Sequence, residues 1–554
     1  MDDKGKQKQA KALYKQGMAY YNRGDYVRVI EAFHKSIELD PDDARVYFNL
    51  GMACVRKNDL AGAIEAFLKA LELDPDYAEA HCNLGIVYTA QDDHDAAIEA
   101  YRKALALKPD YADANYKLGV SSARRGDYPG AIEAYRKTLK IKPNDANAYY
   151  NMGLAYYELD DRTSAIEAFR RAVELKPAFP DAYNNLGIMY WDLGNTAAAI
   201  KAFQKVLRLK PDHASAARSL GCLYSERGDH VSALDAYYQA LKVNPEDVKA
   251  YYSLGMTYTN RNDYTRAVES FRKAVELKPD YADGYHSLGL TYVLQCDYDR
   301  AIEAYRKALE LTPEDDKIYY DLGMAYCHME DAAGAFGAFS KALEMNPEDA
   351  DSYNGLGIAF GMRHKYTEAL RTYRKALELK PNYAEVYCNM AIVYGKLRKR
   401  TEEIEAYRKA LEINPEIEDA HNYLGTIYCK RKEYDMAIEL HRQALELKPG
   451  DTSAWYNLGN AHFYKGETAA AIEAYRKAIK LDPDYANACC GLGIACATQG
   501  KFDDAIGLYR KALELNPKLA WACFKLAGIY RKQGHYAAAV KSFWKGVIII
   551  LPVG

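Results

Sequence analysis

Apolar residues recur at helical spacing along this chain, in stretches that come in pairs. Over residues 147–159 (NAYYNMGLAYYEL) they return three and four positions apart, and the same holds over 164–175 (SAIEAFRRAVEL). That spacing predicts two amphipathic helices, each with one face for a core. A short turn divides them. Elsewhere in the chain this turn often reads Gly-Asp or Asn-Asp, as at Gly24-Asp25, Gly126-Asp127, Gly228-Asp229 and Asn262-Asp263. The second stretch stops before Pro177. A residue preceding proline is pushed out of the helical region, so the proline marks the break.

The pairing is periodic. Prolines fall every 34 residues from Pro41 to Pro517 without interruption. Counting each as position 32 of a unit, sixteen units begin at residues 10, 44, 78 and onward to 520 and fill 10–553, the last with its proline displaced to Pro552. Residues 1–9 form a polar leader. Pro129 falls at the start of a second helix and Pro180 opens a first helix, where a missing N–H costs little.

Small and large residues alternate in register with this period. Position 8 is Gly in fourteen units (Gly17, Gly51, Gly85, Gly119 and onward) and Ala at Ala391 and Ala527. Position 20 is Ala in fourteen units, and position 24 is aromatic in all but one, where His441 stands. A glycine inside a helix costs about 1 kcal/mol against alanine. Repeating it in fourteen units implies that two helices approach closely there, with the ring as the plug.

The pattern aromatic-x-x-Leu-Gly-x-x-Tyr, then Ala-x-x-x-Phe/Tyr, then Pro, resembles the tetratricopeptide (TPR) repeat. The resemblance covers essentially the whole chain. It implies an all-α fold, an α-solenoid of antiparallel helix pairs wound into one continuous right-handed superhelix, with first helices lining a concave groove. Each unit then buries its apolar face against the next.

Composition narrows the function. Lys and Arg number 74 against 77 Asp and Glu, a net charge of −3. That balance does not suggest a nucleic-acid or anionic-membrane partner. No stretch approaches the length of a membrane span, and no secretory leader opens the chain. Eleven scattered cysteines without a Cys-x-x-Cys read as reduced thiols, and so as a cytoplasmic protein. Cys489, Cys496 and Cys523 fall at core positions. His286, Cys327 and His328 lie on the groove side, but no closely spaced ligand pair supports a metal there. No cofactor is expected, and no nucleophile–base pair or phosphate loop points to an enzyme.

By the family resemblance, positions 2, 5, 6, 9, 12 and 13 face the groove. Position 6 is Asn at Asn49, Asn83, Asn151, Asn185, Asn389 and Asn457. An amide both donates and accepts, so a row of them suits the backbone of an extended peptide. The row resembles the asparagine ladder of O-GlcNAc transferase-type TPR superhelices. It is broken by Ser219, Ser253 and Ser287, and by Lys117, Asp321 and Gly355. Position 5 is often aromatic (Tyr14, Phe48, Tyr116, Tyr150, Tyr252), position 9 often apolar (Met52), and Trp191 stands at position 12. Such residues suit apolar ligand side chains, or else support the core between repeats. The lysine and asparagine set that grips chaperone carboxyl termini in some TPR modules is missing, since only Asn460 falls at position 9 and its unit has Tyr456 at position 5.

The expected function is therefore a protein-interaction scaffold holding an extended peptide or disordered segment in the groove. Two alternatives stand beside it. The run Val547, Ile548, Ile549, Ile550 and Leu551 suggests self-association, and the repeats suit the recruiting region of a larger glycosyltransferase-like enzyme. Exposed Glu–Lys pairs four apart (Glu65–Lys69, Glu99–Lys103, Glu133–Lys137, Glu303–Lys307, Glu473–Lys477) mark a solvated outer face. Unit twelve is irregular: Glu403 replaces the packed alanine and is expected to reach a neighbouring arginine or solvent.

Overall fold

The computed structural model describes residues 3–550, with side chains to 549. Leu551 of the C-terminal apolar run lies outside the described residues, as does the side chain of Ile550. The described residues form thirty-two α-helices, α1 to α32, and no strand. Odd-numbered helices are the first and even-numbered helices the second of sixteen pairs. The chain divides into two compact units, meeting between Leu277 and Lys278. Eight helix pairs fall in each. Within a unit, every first helix packs on its own partner, and every second helix packs on the next first helix. This is the all-α solenoid that the period implies.

The pair α9 (Ala146–Glu158) and α10 (Arg162–Leu175) shows how the ends are set. Each begins one or two residues earlier than the apolar spacing suggests, because an aspartate caps it. Asp145 Oδ1 accepts from the amides of Asn147 and Ala148, and Asp161 accepts from Ser164 N. Pro180 and Pro129 sit in the first turns of their helices, as expected. Residues 3–9 of the polar leader are the opening turns of α1 (Asp3–Asn22).

The turn inside each pair carries one left-handed residue, at position 15. Seven of these are glycines and nine are not, among them Glu330 (φ 59°) and Lys432 (φ 65°). A side chain in that conformation costs roughly 1–2 kcal/mol. The turn geometry is thus imposed even where the residue resists it.

Close approach explains the glycine at position 8. A Cβ on Gly85 would stand 2.7 Å from the Tyr101 ring, and one on Gly221 would stand 2.5 Å from Tyr237. Both rings are buried, and position-20 alanines such as Ala97 are fully buried as well. In the first unit, Val29, Phe33, Leu50, Phe67 and Leu84 form one apolar cluster. In the second, Leu370, Tyr373, Met390, Leu424 and Leu458 form another. Glu403 is only 8% exposed and pairs with Arg400 at 2.6 Å. Gly395 makes room for it, since a Cβ there would meet Glu403 Oε1 at 2.7 Å.

Candidate peptide-binding face

The face in question is built by positions 5, 6, 9, 12 and 13 of the first helices. The aromatic residues at position 5 are half-buried and rest on the position-24 plug of their own repeat. Ring centroids lie 5.7 Å apart for Tyr14–Phe33, 5.8 Å for Phe48–Phe67 and 5.9 Å for Tyr116–Tyr135. Tyr150–Phe169 and Tyr252–Phe271 follow at 5.8 and 5.6 Å. Phe48 and Tyr150 also meet the last residue of their repeat, Tyr77 and Phe179, each at 4.8 Å. Most of each ring is therefore occupied by the core, and its edge or hydroxyl is what reaches the face.

The asparagines at position 6 are tied to the preceding repeat. Asn49 Nδ2 donates to Tyr14 Oη at 3.1 Å, Asn151 to Tyr116 Oη at 2.8 Å, and Asn185 to Tyr150 Oη at 3.4 Å. In the second unit the acceptor is an amide: Asn389 donates to Asn354 Oδ1 at 2.9 Å and Asn457 to Asn422 Oδ1 at 3.0 Å. Asn83 follows Phe48, which offers no acceptor, and it turns to its own helix at Glu79 O, 2.8 Å away. Asn49 also donates to Arg45 O. An amide has two N–H groups and one carbonyl oxygen. These bonds fix the side chains and use the nitrogen side first, leaving the Oδ1 of Asn151 and Asn185 to accept from something else.

Other pairs use the same 35-residue offset. His286 Nε2 lies 2.7 Å from Asp321 Oδ2, and Trp191 Nε1 donates to Glu226 Oε1 at 3.1 Å. The first places Asp321 in a rung that the sequence reading treated as broken. The signal was available in the sequence: a Tyr, Asn or His at position 5, followed 35 residues later by Asn or Asp. Asn354 and Asn422 belong to the same set and were not singled out.

Electrostatics keep the phenols neutral. Burial, and then the Asp145 carboxylate, push the Tyr116 hydroxyl above its usual range, and burial with Asp181 does the same for Tyr150. Each hydroxyl thus keeps a proton to donate while it accepts from its asparagine. Met52 and most other position-9 residues are half-buried, while Met256, Leu290 and Ile392 are exposed. Cys327 is half-buried, with its thiol pushed up to about 11 by burial. His328 stacks on Tyr298 at 4.9 Å. Among the described residues, no three His, Cys, Asp or Glu side chains converge to hold a metal ion. Cys489, Cys496 and Cys523 are buried, and all eleven cysteines are free thiols. No helix among the described residues is long and apolar enough to cross a membrane.

Comparison with known proteins agrees with this architecture. Tetratricopeptide repeat profiles match residues 10–43, 51–92, 297–329, 338–371, 363–397, 384–417, 416–484 and 456–520. Residues 76–284 match the C-terminal domain of cilia and flagella-associated protein 70. A search of curated proteins returned no match. Among solved structures, MamA is 35% identical, covering 30% of this chain and 92% of its own, with a TM-score of 0.30. YrrB, a TPR protein with an unusual peptide-binding site, is 26% identical, covering 34% of this chain and 96% of its own, with a TM-score of 0.30. Yeast Tom70 is 20% identical over 83% of this chain and 96% of its own, with a TM-score of 0.35. The chain belongs to the tetratricopeptide repeat family.

Proposed function

We propose that this protein is a non-enzymatic interaction scaffold that holds an extended peptide or disordered segment along its first-helix face. The observation that carries the reading is the set of amides held in place by the neighbouring repeat. Side chains already fixed lose little entropy when a ligand arrives. The carbonyl oxygens of Asn151 and Asn185 then accept from backbone N–H groups, and the apolar position-9 residues cover side chains. The free thiols suit a reducing, cytoplasmic setting. A peptide array of disordered sequences, followed by titration of the segments that bind, tests this. In the double variant Asn151→Ala and Asn185→Ala affinity falls while the thermal midpoint holds. Tyr116→Phe, which removes the hydroxyl but leaves the Asn151 amide in place, has a smaller effect. Equal affinity in the double variant and the parent overturns the amide reading.

A second reading, self-association, is favoured by the face of α32 (Tyr536–Ile550). Tyr536 is 68% exposed, Phe543 49% and Ile548 65%, with Val540 and Trp544 beside them. Phe543 stands at position 24, where Phe33 and Phe67 are 0% exposed. Val547 and Ile549 are half-buried on the same helix. Light scattering over a concentration series separates the two readings, since a constant monomer mass removes the second.

A further inference from the structure

A cleft lies between successive second helices, floored by positions 4, 7 and 11 of the first helix between them. At several junctions the chain bridges this cleft itself. The side chain at position 25 reaches the position-11 hydroxyl of the next repeat: Arg136 to Tyr156 at 2.7 Å, Arg306 to Tyr326 at 2.6 Å, Arg510 to Tyr530 at 2.8 Å. At the junction of repeats fifteen and sixteen, with Arg510 in place, the remaining cavity is about 360 Å³. At the junction of repeats thirteen and fourteen, lined by Arg442, it is about 370 Å³.

The first junction differs. His34 and Cys54 take the two bridging positions. His34 is exposed, and Cys54 is a buried thiol with no hydroxyl to accept a bond. The cavity there, between α2 (Tyr26–Leu39) and α4 (Leu60–Leu73), is about 690 Å³. Its charge also differs. Asp59, Glu65 and Glu72 line it against a single ammonium, Lys69, which is paired with Glu72 at 2.6 Å. In the cleft lined by Arg442, two carboxylates face two cations; in the one lined by Arg510, Glu514 faces three. The first cleft therefore has an apolar lining, with Leu50 on its floor and Ile30 and Ile37 on the α2 wall, and more room. It also has an excess of carboxylate, which the clefts lined by Arg442 and Arg510 do not.

We propose that this cleft binds an arginine-like side chain presented by a protein partner, with the alkyl stem on Ile30, Ile37 and Leu50 and the guanidinium at Asp59 and Glu65. A planar guanidinium suits carboxylates, and its weak hydration suits a half-enclosed site. The partner's side chain takes the place that Arg136, Arg306 and Arg510 take within the chain. The site lies between second helices, so it stands or falls separately from the first-helix face.

Saturation-transfer NMR on the full chain tests it, with n-propylguanidinium as the probe and n-propylurea as its neutral counterpart. The guanidinium signal should exceed the urea signal in the parent. In His34→Arg with Cys54→Tyr, which rebuilds the bridge of Arg136 and Tyr156, it should fall to the urea level. Glu65→Gln leaves the cleft open and should weaken the signal several-fold, while Glu303→Gln, the same position in repeat nine, should not. Equal signals for guanidinium and urea, or for the parent and the bridged variant, overturn the proposal. If the bridged variant loses its helical circular dichroism, the two glutamate variants decide, and equal signals from them are a negative result.

Discussion

The second helices of repeats one to ten and those of repeats eleven to fifteen begin differently. In the first group an aspartate or asparagine side chain caps the helix, from Asp25, Asp59 and Asp93 to Asn195, Asp297 and Asp331. In the second group the cap position holds Lys365, Lys399, Glu433, Glu467 and Lys501, and none makes a side-chain capping bond. A lysine there also meets the positive end of the helix dipole. The helices are nonetheless the same length, 14 residues in α10 as in that of Tyr366–Leu379. Packing against neighbouring repeats, and not the cap, decides that these helices exist. The cap decides how firmly they are held. The same later stretch carries Glu403 and His441 in the core, so repeats eleven to fifteen have fewer local supports and should open first.

The largest effect expected from this contrast is with acid. The His441 ring is 0% exposed, neither ring nitrogen has a partner, and burial pushes its pKa down from 6.5 to about 4. The folded value lies below the unfolded one, so the unfolded chain takes up the proton first. Stability is whole above pH 6.5 and is lost as the pH falls from 6.5 towards 4, by about 3 kcal/mol. Hydrogen exchange should show residues 434–447 losing protection over that window faster than residues 60–73. A common pH profile for the two would break the comparison.

Next in size is His441→Phe, which places at position 24 the ring found at Phe33 and removes two unpaired nitrogens. It should raise stability at neutral pH by about 2 kcal/mol, read by urea denaturation. It should also flatten the acid profile.

Smaller effects test the caps directly. Asp297→Ala should cost about 1 kcal/mol, whereas Lys365→Ala should leave stability within a few tenths. Lys365→Asp should gain what Asp297→Ala loses. If both alanine variants cost the same, capping does not distinguish the two stretches. Last, Lys432→Gly relieves a left-handed side chain and should gain about 1 kcal/mol in thermal unfolding.

The hairpin phase was legible because it rests on steric facts close in sequence. Pro177 breaks a helix wherever the helix points, and Gly85 beside Tyr101 is a contact between two halves of one pair. The bonds from Asn151 to Tyr116 were not read, because they join different repeats and depend on which positions come abreast when helices stack. The outer charge pairs show a different limit. Glu99–Lys103 and Glu133–Lys137 form as expected. Lys69 and Lys307 instead choose Glu72 and Glu310, and Lys477 lies over the Trp455 ring at 4.2 Å. Exposed ion pairs differ by so little that spacing alone cannot choose among them.

The bonds from Asn49, Asn151 and Asn185, and those from Asn389 and Asn457, share one property. Every donor points to the repeat before it in the chain. These five are aligned, whereas the bonds from Trp191 to Glu226 and from His286 to Asp321 run the other way. The wall the five form has a forward and a backward sense, like pile on cloth. In the proposed binding mode a strand laid along it meets a different surface when turned end for end, so the polarity of the guest chain would be read before its composition.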